Sequence, residues 1–353
     1  MSATKIVKVN PLNPQEDYLK EAARILSRGG LVIIPTETVY GIAADKSNAK
    51  TLDRLYEIKN RPKDKPFSLH IEEKSKVEDF AKEIPVLAYK LMDRFWPGPL
   101  TLILKSKNQG TVGLRMPDNE IAKRVIALAG VPVVCPSANL AGNAAPVNFQ
   151  DAIKDLNGLV DYAIDAGNTR LGLESSIVDL TTAHPQILRE GAIKKEEILN
   201  TANKKTVLFV CTGNSCRSVM AEALLEKIMR EKKRQDFEIL SAGIIGLEGM
   251  GATQETKEVL IREGIDVSGH ISQKVTLDMV RKSDLILVME KIHEERVLAL
   301  APEAKNRLFL LKEFAKIGDN NLDIQDPIGK PFDFYENTFK TIKEAVERIS
   351  NII

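Results

Sequence analysis

A chain of 353 residues is longer than one average domain and predicts about two. Its 43% hydrophobic and 28% charged residues are ordinary for a globular protein, and the net charge of +1 argues against a strongly basic nucleic-acid surface or an acidic tail. No apolar run approaches the ~20 residues that span a bilayer, and three cysteines do not make a disulfide framework. We therefore expect a cytoplasmic protein with no membrane partner.

The first predicted elements lead into a hydroxyl-rich turn. Residues 14–28 predict a helix that stops at a pair of glycines, and residues 31–34 predict a short buried strand. The strand runs into Thr36-Glu37-Thr38, and ligands are often held at such strand ends in α/β sheets. Taken alone, the turn is equally well explained as a capped turn without a ligand.

A basic loop follows a second predicted helix at residues 51–58. The loop carries four cations within seven residues, Lys59, Arg61, Lys63 and Lys65, and its two prolines keep them from sharing a helix face. Such a loop can hold a polyphosphate, because Arg and Lys both donate to phosphate oxygens. The plain alternative is a solvated basic loop, which the run by itself favours.

An ordered series of motifs supports the phosphate interpretation. In chain order the series comprises Pro35–Gly41, Lys59-x-Arg61, Lys65-Pro66 with His70, Trp96–Thr101, Val112–Pro117, Pro136–Asn139, Glu174–Asp179 and Leu188–Ala192. Over residues 10–195 it resembles the YrdC-like threonylcarbamoyl-AMP synthases. The resemblance implies a YrdC-like α/β twisted-sheet domain, residues 1–202. It would couple L-threonine, bicarbonate and ATP to give pyrophosphate and threonylcarbamoyl-AMP, the donor for tRNA threonylcarbamoyladenosine.

The same resemblance assigns residues to two ligands. The ATP-binding set is Lys59, Arg61, Lys65, Ser137, Asn139 and Arg189. The threonine-binding set is Thr38, His70, Arg115, Ser175 and Ser176, although this chain has serine where the family is expected to have threonine. Arg115 suits the threonine carboxylate. Taken alone, His70 would be a structural histidine, and Cys135 beside the Ser137–Asn139 pair is a core residue.

The chemistry implied for this half is positioning and charge neutralisation. Mg²⁺ is expected on the ATP phosphates, with no metal ligands of the protein's own and no tightly bound cofactor. The tRNA and tRNA-modification proteins are expected only as indirect partners. An alternative from another class is a nucleotide- or RNA-binding module with the same fold and no synthase activity.

Residues 194–205 are polar and charged and predict a short helix followed by a linker. We place the domain boundary near residue 202, so the second domain is predicted to be residues 203–353.

The strongest local pattern begins at Cys211. Residues 207–210 predict a buried strand and residues 219–225 a helix, with Cys211 and Arg217 at the two ends of the loop between them. Strand, loop and helix in that order aim backbone N–H groups at one point, which makes an anion site. The helix N-terminus and Arg217 both favour a thiolate, so Cys211 is a candidate nucleophile. A lone cysteine would more often be a core residue.

Cys211–Ser218, followed by Met220-Ala221-Glu222, resembles the active-site loop of the low-molecular-weight protein phosphatases. Strands alternate with helices after this loop, and a closing helix is predicted at residues 335–349, so we expect a doubly wound parallel sheet of the Rossmann-like kind. The expected phosphate-binding loop is Thr212, Gly213, Asn214, Ser215, Cys216 and Ser218. Ser241 and His270 are expected to support it.

The resemblance implies a two-step reaction without a metal. Cys211 attacks the phosphoryl group, Arg217 holds its oxygens, and Asp326 of Asp326-Pro327 protonates the leaving group and then activates water. The spacing alone leaves Asp323 equally open as the acid. Cys216 is expected to form a reversible disulfide with Cys211 under oxidation.

The sequence favours some substrates for the second domain over others but does not decide between phosphoarginine and phosphotyrosine. Thioredoxin-linked arsenate reductases share the loop but need further cysteines, so that interpretation is disfavoured. Phosphotyrosine enzymes usually carry a bulky apolar residue where this chain has Ser215 and an aromatic residue where it has Ile328. These two positions slightly favour phosphoarginine, although the arginine phosphatases place threonine at the Ser215 position. A silent phosphoprotein-binding domain is the remaining alternative, and the presence of Cys211, Arg217 and Asp326 together argues against it.

Overall fold

The computed structural model describes residues 3–246, 249–318 and 321–353. Its chain divides into two compact units, Met1–Thr201 and Ala202–Ile353. Each unit has its own β-sheet with buried hydrophobic residues on both faces. Among the described residues no helix is long and apolar enough to cross a membrane.

The N-terminal unit is built on one mixed sheet. Its strands are β1 (Lys5–Lys8), β2 (Val32–Ile34), β3 (Gly41–Asp45), β4 (Leu69–His70), β5 (Leu100–Lys105), β6 (Thr111–Arg115), β7 (Val133–Val134), β8 (Tyr162–Asp165), β9 (Ser176–Asp179) and β10 (Gln186–Arg189). Within the described residues they form a 10-stranded sheet in the order β1-β8-β2-β3-β7-β4-β6-β5-β9-β10. The sheet contains parallel pairs such as β1–β8 and β5–β9 and antiparallel pairs such as β2–β3. Together with the helices, this mixed sheet confirms the predicted α/β class.

Helices cover both faces of this sheet. They are α1 (Glu16–Ser27), α2 (Ala49–Ile58), α3 (Val77–Phe80), α4 (Val86–Phe95), α5 (Glu120–Ala129), α6 (Phe149–Lys154) and α7 (Lys195–Asn203). Successive side chains of a strand point to opposite faces. Accordingly, Val32 and Ile34 join the cluster with α1 and α5, whereas Ile33 joins the cluster with α2 and α4. A strand buried on both faces reads as a continuous apolar run, as residues 31–34 do.

The C-terminal unit has a 4-stranded parallel sheet in the order β12-β11-β13-β14. Its strands are β11 (Lys205–Cys211), β12 (Phe237–Gly243), β13 (Leu285–Val288) and β14 (Leu308–Leu310). Its helices are α8 (Arg217–Glu231), α9 (Gln254–Arg262), α10 (Leu277–Lys282), α11 (Lys291–Leu300), α12 (Leu311–Phe314) and α13 (Phe332–Ile349). The strand order reverses at β11, so the carboxyl end of β11 is the switch point where doubly wound sheets bind ligands.

Three boundaries differ from the sequence prediction. Helix α2 begins at Ala49 rather than residue 51, because the Asn48 side chain accepts from Thr51 N and caps the helix earlier. Helix α13 begins at Phe332 rather than residue 335, directly after Pro331 at the N-cap. The predicted linker after α7 is wrong, because only Lys204 separates α7 from β11. The strand extends back to residue 205, where the backbone N–H donates to Asp236 O at 2.7 Å.

Candidate active sites

A cavity of about 390 Å³ opens in the N-terminal unit between the turn after β2, the basic loop after α2 and the segment after β7. It brings together most of the residues expected to bind ATP or threonine. Those in its wall are Lys59, Arg61, His70, Arg115, Ser137, Asn139, Ser175 and Arg189. Thr38, Lys65 and Ser176 were expected in the same site and are not among its lining residues.

Lys59 fixes one wall of the cavity. Its ammonium group donates to Ser137 O at 2.8 Å, Asn139 O at 2.7 Å and Asn139 Oδ1 at 2.9 Å. Burial, followed by the charge of Arg61, lowers the pKa of Lys59 to about 8. Because these acceptors occupy all three ammonium protons, Lys59 holds the Ser137–Asn139 segment in place. Direct contact with a phosphate would require it to exchange one of these acceptors.

Arg115 forms a buried ion pair at the base of the hydroxyl-rich turn. It is 5% exposed, and its Nη2 donates to Glu37 Oε1 at 2.7 Å and to Thr38 Oγ1 at 2.8 Å. Thr38 does not line the cavity itself, but it contacts two residues that do, Arg115 and Thr36, whose Oγ1 lies 2.8 Å from Thr38 Oγ1. Glu37 was not singled out from the sequence, because only the fold brings it against a cation 78 residues away.

Two buried polar atoms near Arg115 have no hydrogen-bond partner among the described residues, Glu37 Oε2 and His70 Nδ1. Burial, followed by the charge of Arg115, lowers the pKa of His70 to about 3, so its ring is neutral at physiological pH. Buried polar atoms are normally satisfied. Since His70 and Arg115 line the cavity, the site fits a small polar ligand that completes these hydrogen bonds.

The structure separates the two neighbouring serines. Arg189 donates to Ser175 O at 2.8 Å and to Ser175 Oγ at 3.1 Å, and Nη1 pairs with Glu174 at 2.7 Å. Ser176 Oγ instead accepts from the backbone of Gly191 and Ile193 at 2.9 and 3.0 Å, so it ties the start of β9 to the segment that follows β10. Ser175 is thus the serine at the cavity.

Lys65 contributes its backbone rather than its ammonium group. Its carbonyl accepts from Arg61 Nε at 2.7 Å, while the side chain is exposed outside the cavity wall. The two other cations of the basic loop behave differently from each other. Arg61 lines the cavity, whereas Lys63 pairs with Asp53 at the surface.

In the C-terminal unit, Cys211 is the last residue of β11 and Arg217 the first residue of α8, so the loop between them lies at the switch point. Cys211 Sγ lies 3.0 Å from Ser218 Oγ and accepts from Asn214 N at 3.3 Å. Asn214 has φ +55°, a left-handed conformation that asparagine adopts more readily than most residues. This turn brings the backbone of the loop around the sulfur atom.

Asn214 makes hydrogen bonds through both ends of its side-chain amide and through its backbone carbonyl. Its Nδ2 donates to Ser218 Oγ at 3.0 Å and Ser241 Oγ at 2.7 Å, and Gln273 N donates to its Oδ1 at 2.9 Å. Ser272 Oγ donates to the Asn214 carbonyl at 2.7 Å, and His270 Nε2 lies 2.8 Å from it. The two predicted supports, Ser241 and His270, thus both contact Asn214.

A buried carboxyl group stands behind this network. Ser241 Oγ donates to Glu222 Oε2 at 2.6 Å. Burial raises the pKa of Glu222 to about 7. Glu222 therefore belongs to the support of the loop, although from the sequence it was noted only as part of the motif after Ser218.

Arg217 is 1% exposed and bound on several sides. Nη1 donates to Glu290 Oε2 at 2.5 Å and Ile324 O at 2.6 Å, and Nη2 donates to Thr212 Oγ1 at 2.9 Å and also to Asp326 Oδ2. Its Nε is buried and has no partner among the described residues. A buried, unpaired guanidinium N–H beside a nucleophile fits an anionic oxygen.

The structure also separates the two candidate acids. Asp326 pairs with Arg217, whereas Asp323 Oδ1 accepts from Lys291 N at 3.0 Å at the start of α11. Asp326 is thus the carboxylate placed against the loop. Cys216 points toward Thr253 and Tyr335, at 3.6 and 4.0 Å, and burial raises the pKa of its thiol.

Glu290 and His293 also belong to this site and were missed by sequence reasoning. Both follow the carboxyl end of β13, the strand beside β11, at the same sheet edge as Cys211. They could have been predicted as site residues, because they are polar and follow the end of β13, which neighbours the strand that ends at Cys211. Ser272 and Gln273 lie in a loop without a recognisable pattern, and no sequence signal pointed to them.

Comparison with known proteins matches each unit to a family. The family model described as Telomere recombination (Sua5/YciO/YrdC) matches residues 24–191, and that of the low molecular weight phosphotyrosine protein phosphatases matches residues 206–352. A threonylcarbamoyl-AMP synthase of Pyrococcus abyssi is 32% identical over 83% of this chain and 94% of its own length. A protein-arginine-phosphatase of Geobacillus stearothermophilus is 35% identical over 41% of this chain and 93% of its own length.

A solved structure of P. abyssi Sua5 complexed with L-threonine covers 98% of this chain and 98% of its own, with a TM-score of 0.55 and 24% identity, and shows a related fold. The two family models match different units of the chain, residues 24–191 in the first and residues 206–352 in the second. The chain therefore belongs to the threonylcarbamoyl-AMP synthase family through its N-terminal part and to the low-molecular-weight protein phosphatase family through its C-terminal part.

Proposed function

We propose that this chain is a bifunctional cytoplasmic enzyme with a synthase domain at residues 1–202 and a phosphatase domain at residues 203–353. The first makes threonylcarbamoyl-AMP from L-threonine, bicarbonate and ATP, for transfer to tRNA by other proteins. The second removes phosphoryl groups from proteins through a phosphocysteine. The observation that carries the phosphatase assignment is the meeting of Cys211, Arg217 and Asp326 at the end of β11.

In the synthase site, the unpaired Nδ1 of His70 in the cavity wall supports a position for threonine beside Arg115. Arg115 is the cation for its carboxylate, with His70 Nδ1 as a neutral hydrogen-bond partner beside it. Arg61 and Arg189 line the remainder of the cavity and serve the ATP phosphates. Lys59 acts by holding Ser137 and Asn139 in the wall. Mg²⁺ enters as part of the Mg–ATP substrate.

The synthase assignment predicts pyrophosphate release from ATP that requires both L-threonine and bicarbonate. We expect the release to fall to background when either is omitted, because the nucleophile that attacks the α-phosphate and displaces pyrophosphate is the carbamate formed from L-threonine and bicarbonate. A coupled pyrophosphate assay on the full chain measures this. Folded protein that binds ATP or RNA and shows no threonine-dependent release would instead be the binding module considered above.

In the phosphatase site, a phosphoryl group bound in the loop takes the place of the Asp326 carboxylate at Arg217 Nη2 and receives a further bond from the free Nε. Cys211 Sγ attacks phosphorus while Asp326 gives its proton to the leaving group. Ser218 Oγ, 3.0 Å from Sγ, stabilises the thiolate when the cysteine leaves. Asp326 then removes a proton from the water that hydrolyses the phosphocysteine.

We favour phosphoarginine over phosphotyrosine as the substrate. The small side chain of Ser215, where phosphotyrosine enzymes usually carry a bulky apolar residue, is the reason to expect room for a guanidinium beside the loop. The similarity to a protein-arginine-phosphatase over 93% of that protein supports the same preference.

Paired kinetics on a phosphoarginine peptide and a phosphotyrosine peptide test this preference. We expect kcat/KM to be higher for phosphoarginine by about tenfold or more, the discrimination that one or two pocket contacts provide. Ser215→Ile should reverse the preference by filling the space, and Ser215→Thr is the matched control that keeps a hydroxyl. A higher kcat/KM for phosphotyrosine in the wild type would show that Ser215 does not select for arginine.

A further inference from the structure

Thr212 follows the nucleophile directly, and its hydroxyl has an unusual set of contacts. Arg217 Nη2 donates to Oγ1 at 2.9 Å, and His293 Nε2 lies 3.0 Å from the same atom. These are the two contacts that the described residues make with this oxygen. Thr212 is half-buried, whereas the loop residues that follow it from Asn214 to Ser218 are buried.

The protonation state of His293 follows from its other nitrogen. Glu290 N donates to His293 Nδ1 at 3.0 Å, so Nδ1 carries no proton. The ring is fully buried, and burial followed by the charge of Arg217 lowers the pKa of His293 to about 4. A neutral ring without a proton on Nδ1 carries it on Nε2. His293 therefore donates to Thr212.

Because two donors bind the Thr212 hydroxyl oxygen, the hydroxyl can only donate its own proton to any further partner. A threonine oxygen has two lone pairs and one proton. With both lone pairs taken by His293 and Arg217, its own proton must go to a third partner. That partner has to be an acceptor close to Arg217, because Arg217 Nη2 lies within 2.9 Å of the oxygen. An oxygen of a phosphoryl group held by Arg217 meets this requirement.

We propose that the Thr212 hydroxyl donates a hydrogen bond to an oxygen of the transferring phosphoryl group, and that His293 is the positioning residue that keeps it a donor. This inference rests on the proposed phosphatase function. It adds a side-chain donor to the backbone N–H groups of the loop. It also gives a chemical role to a buried histidine on α11 that touches neither Cys211 nor Asp326 among the described contacts.

Three variants of Thr212 and His293 test the proposal. Thr212→Val keeps the shape and removes the hydroxyl, Thr212→Ser keeps the hydroxyl, and His293→Leu removes the donor that orients it. The readouts are kcat/KM on a phosphorylated peptide, inhibition by orthovanadate, which takes the five-coordinate geometry of the transition state, and inhibition by inorganic phosphate.

We expect Thr212→Val to lower kcat/KM by on the order of 10- to 100-fold, because it removes a single hydrogen-bond donor to transition-state charge. Inhibition by orthovanadate should weaken by a similar factor. Inhibition by phosphate should change by less than about threefold, and Thr212→Ser should restore most of the activity. In the Thr212→Val background His293→Leu should add little further loss, because the two residues act as one unit.

Two results would overturn the proposal. One is a Thr212→Val enzyme with wild-type kcat/KM. The other is a variant that loses vanadate binding, phosphate binding and thermal stability to the same degree, which would indicate a structural role. Failure of the phosphatase function itself is recognised separately, because the wild type would then show no more turnover than Cys211→Ser.

Discussion

Cys211→Ser is expected to lower phosphatase turnover by on the order of 10⁴-fold or more, the scale of loss when a nucleophile that acts with its partners is removed. A serine hydroxyl is a far weaker nucleophile than a cysteine sulfur at neutral pH. The anion site itself should survive, because the side-chain hydrogen bonds of Arg217 and Asn214 do not involve the sulfur atom. Turnover of a phosphorylated peptide and the rise in unfolding temperature on adding phosphate measure the two effects.

The control for this variant is Cys135→Ser, a buried cysteine of the N-terminal unit. It removes a thiol of the same chain without touching the loop, so phosphatase activity should stay within about twofold of the wild type. If Cys211→Ser retained turnover near the wild-type rate, another nucleophile would have to be sought.

Arg115→Met should destabilise the N-terminal unit by about 3–5 kcal/mol, since it leaves the buried Glu37 carboxylate without its partner. Glu37 is 2% exposed, so water cannot readily replace the lost ion pair. Trp96, the single tryptophan of the chain, is 4% exposed within the same unit and reports its unfolding by fluorescence. Urea denaturation followed at Trp96 therefore measures the loss.

The double variant Arg115→Met with Glu37→Leu separates this cause from poor packing. Removing both charges should recover much of the lost stability, because two apolar side chains carry no desolvation cost. Synthase activity should be lost in both variants, since both lack the cation proposed for the threonine carboxylate. A double variant less stable than Arg115→Met alone would show that the charge pair is not the reason for the destabilisation.

The strand, loop and helix around Cys211 could be predicted from the sequence, because they are contiguous and their patterns are local. Both family predictions and the α/β class are confirmed. The side chains that contact the loop from elsewhere were harder to predict. Glu290 and His293 lie more than 70 residues along the chain from Arg217 and Thr212, and only the order of the strands in the sheet brings them together.

In the N-terminal site, the sequence could not predict the direction of individual side chains. A motif gives the residues present but not which of them face the cavity. Ser175 and Ser176 are neighbours of one type, yet a strand turns them to opposite sides, and one lines the cavity while the other braces the backbone. Likewise, the sequence suggested that Lys59 is a free cation in a basic loop. In the structure its ammonium group donates to three acceptors of Ser137 and Asn139 and holds that segment in place.

The many bonds to Asn214 have a kinetic consequence. A loop already held in its binding shape has little conformational entropy left to lose when an anion arrives, so association should show a single fast phase without a slow rearrangement. Free phosphate can bind Arg217 and the loop amides as a phosphoryl group on a protein does. The product should therefore compete with the substrate, and the rate of protein dephosphorylation should fall as the surrounding phosphate concentration rises.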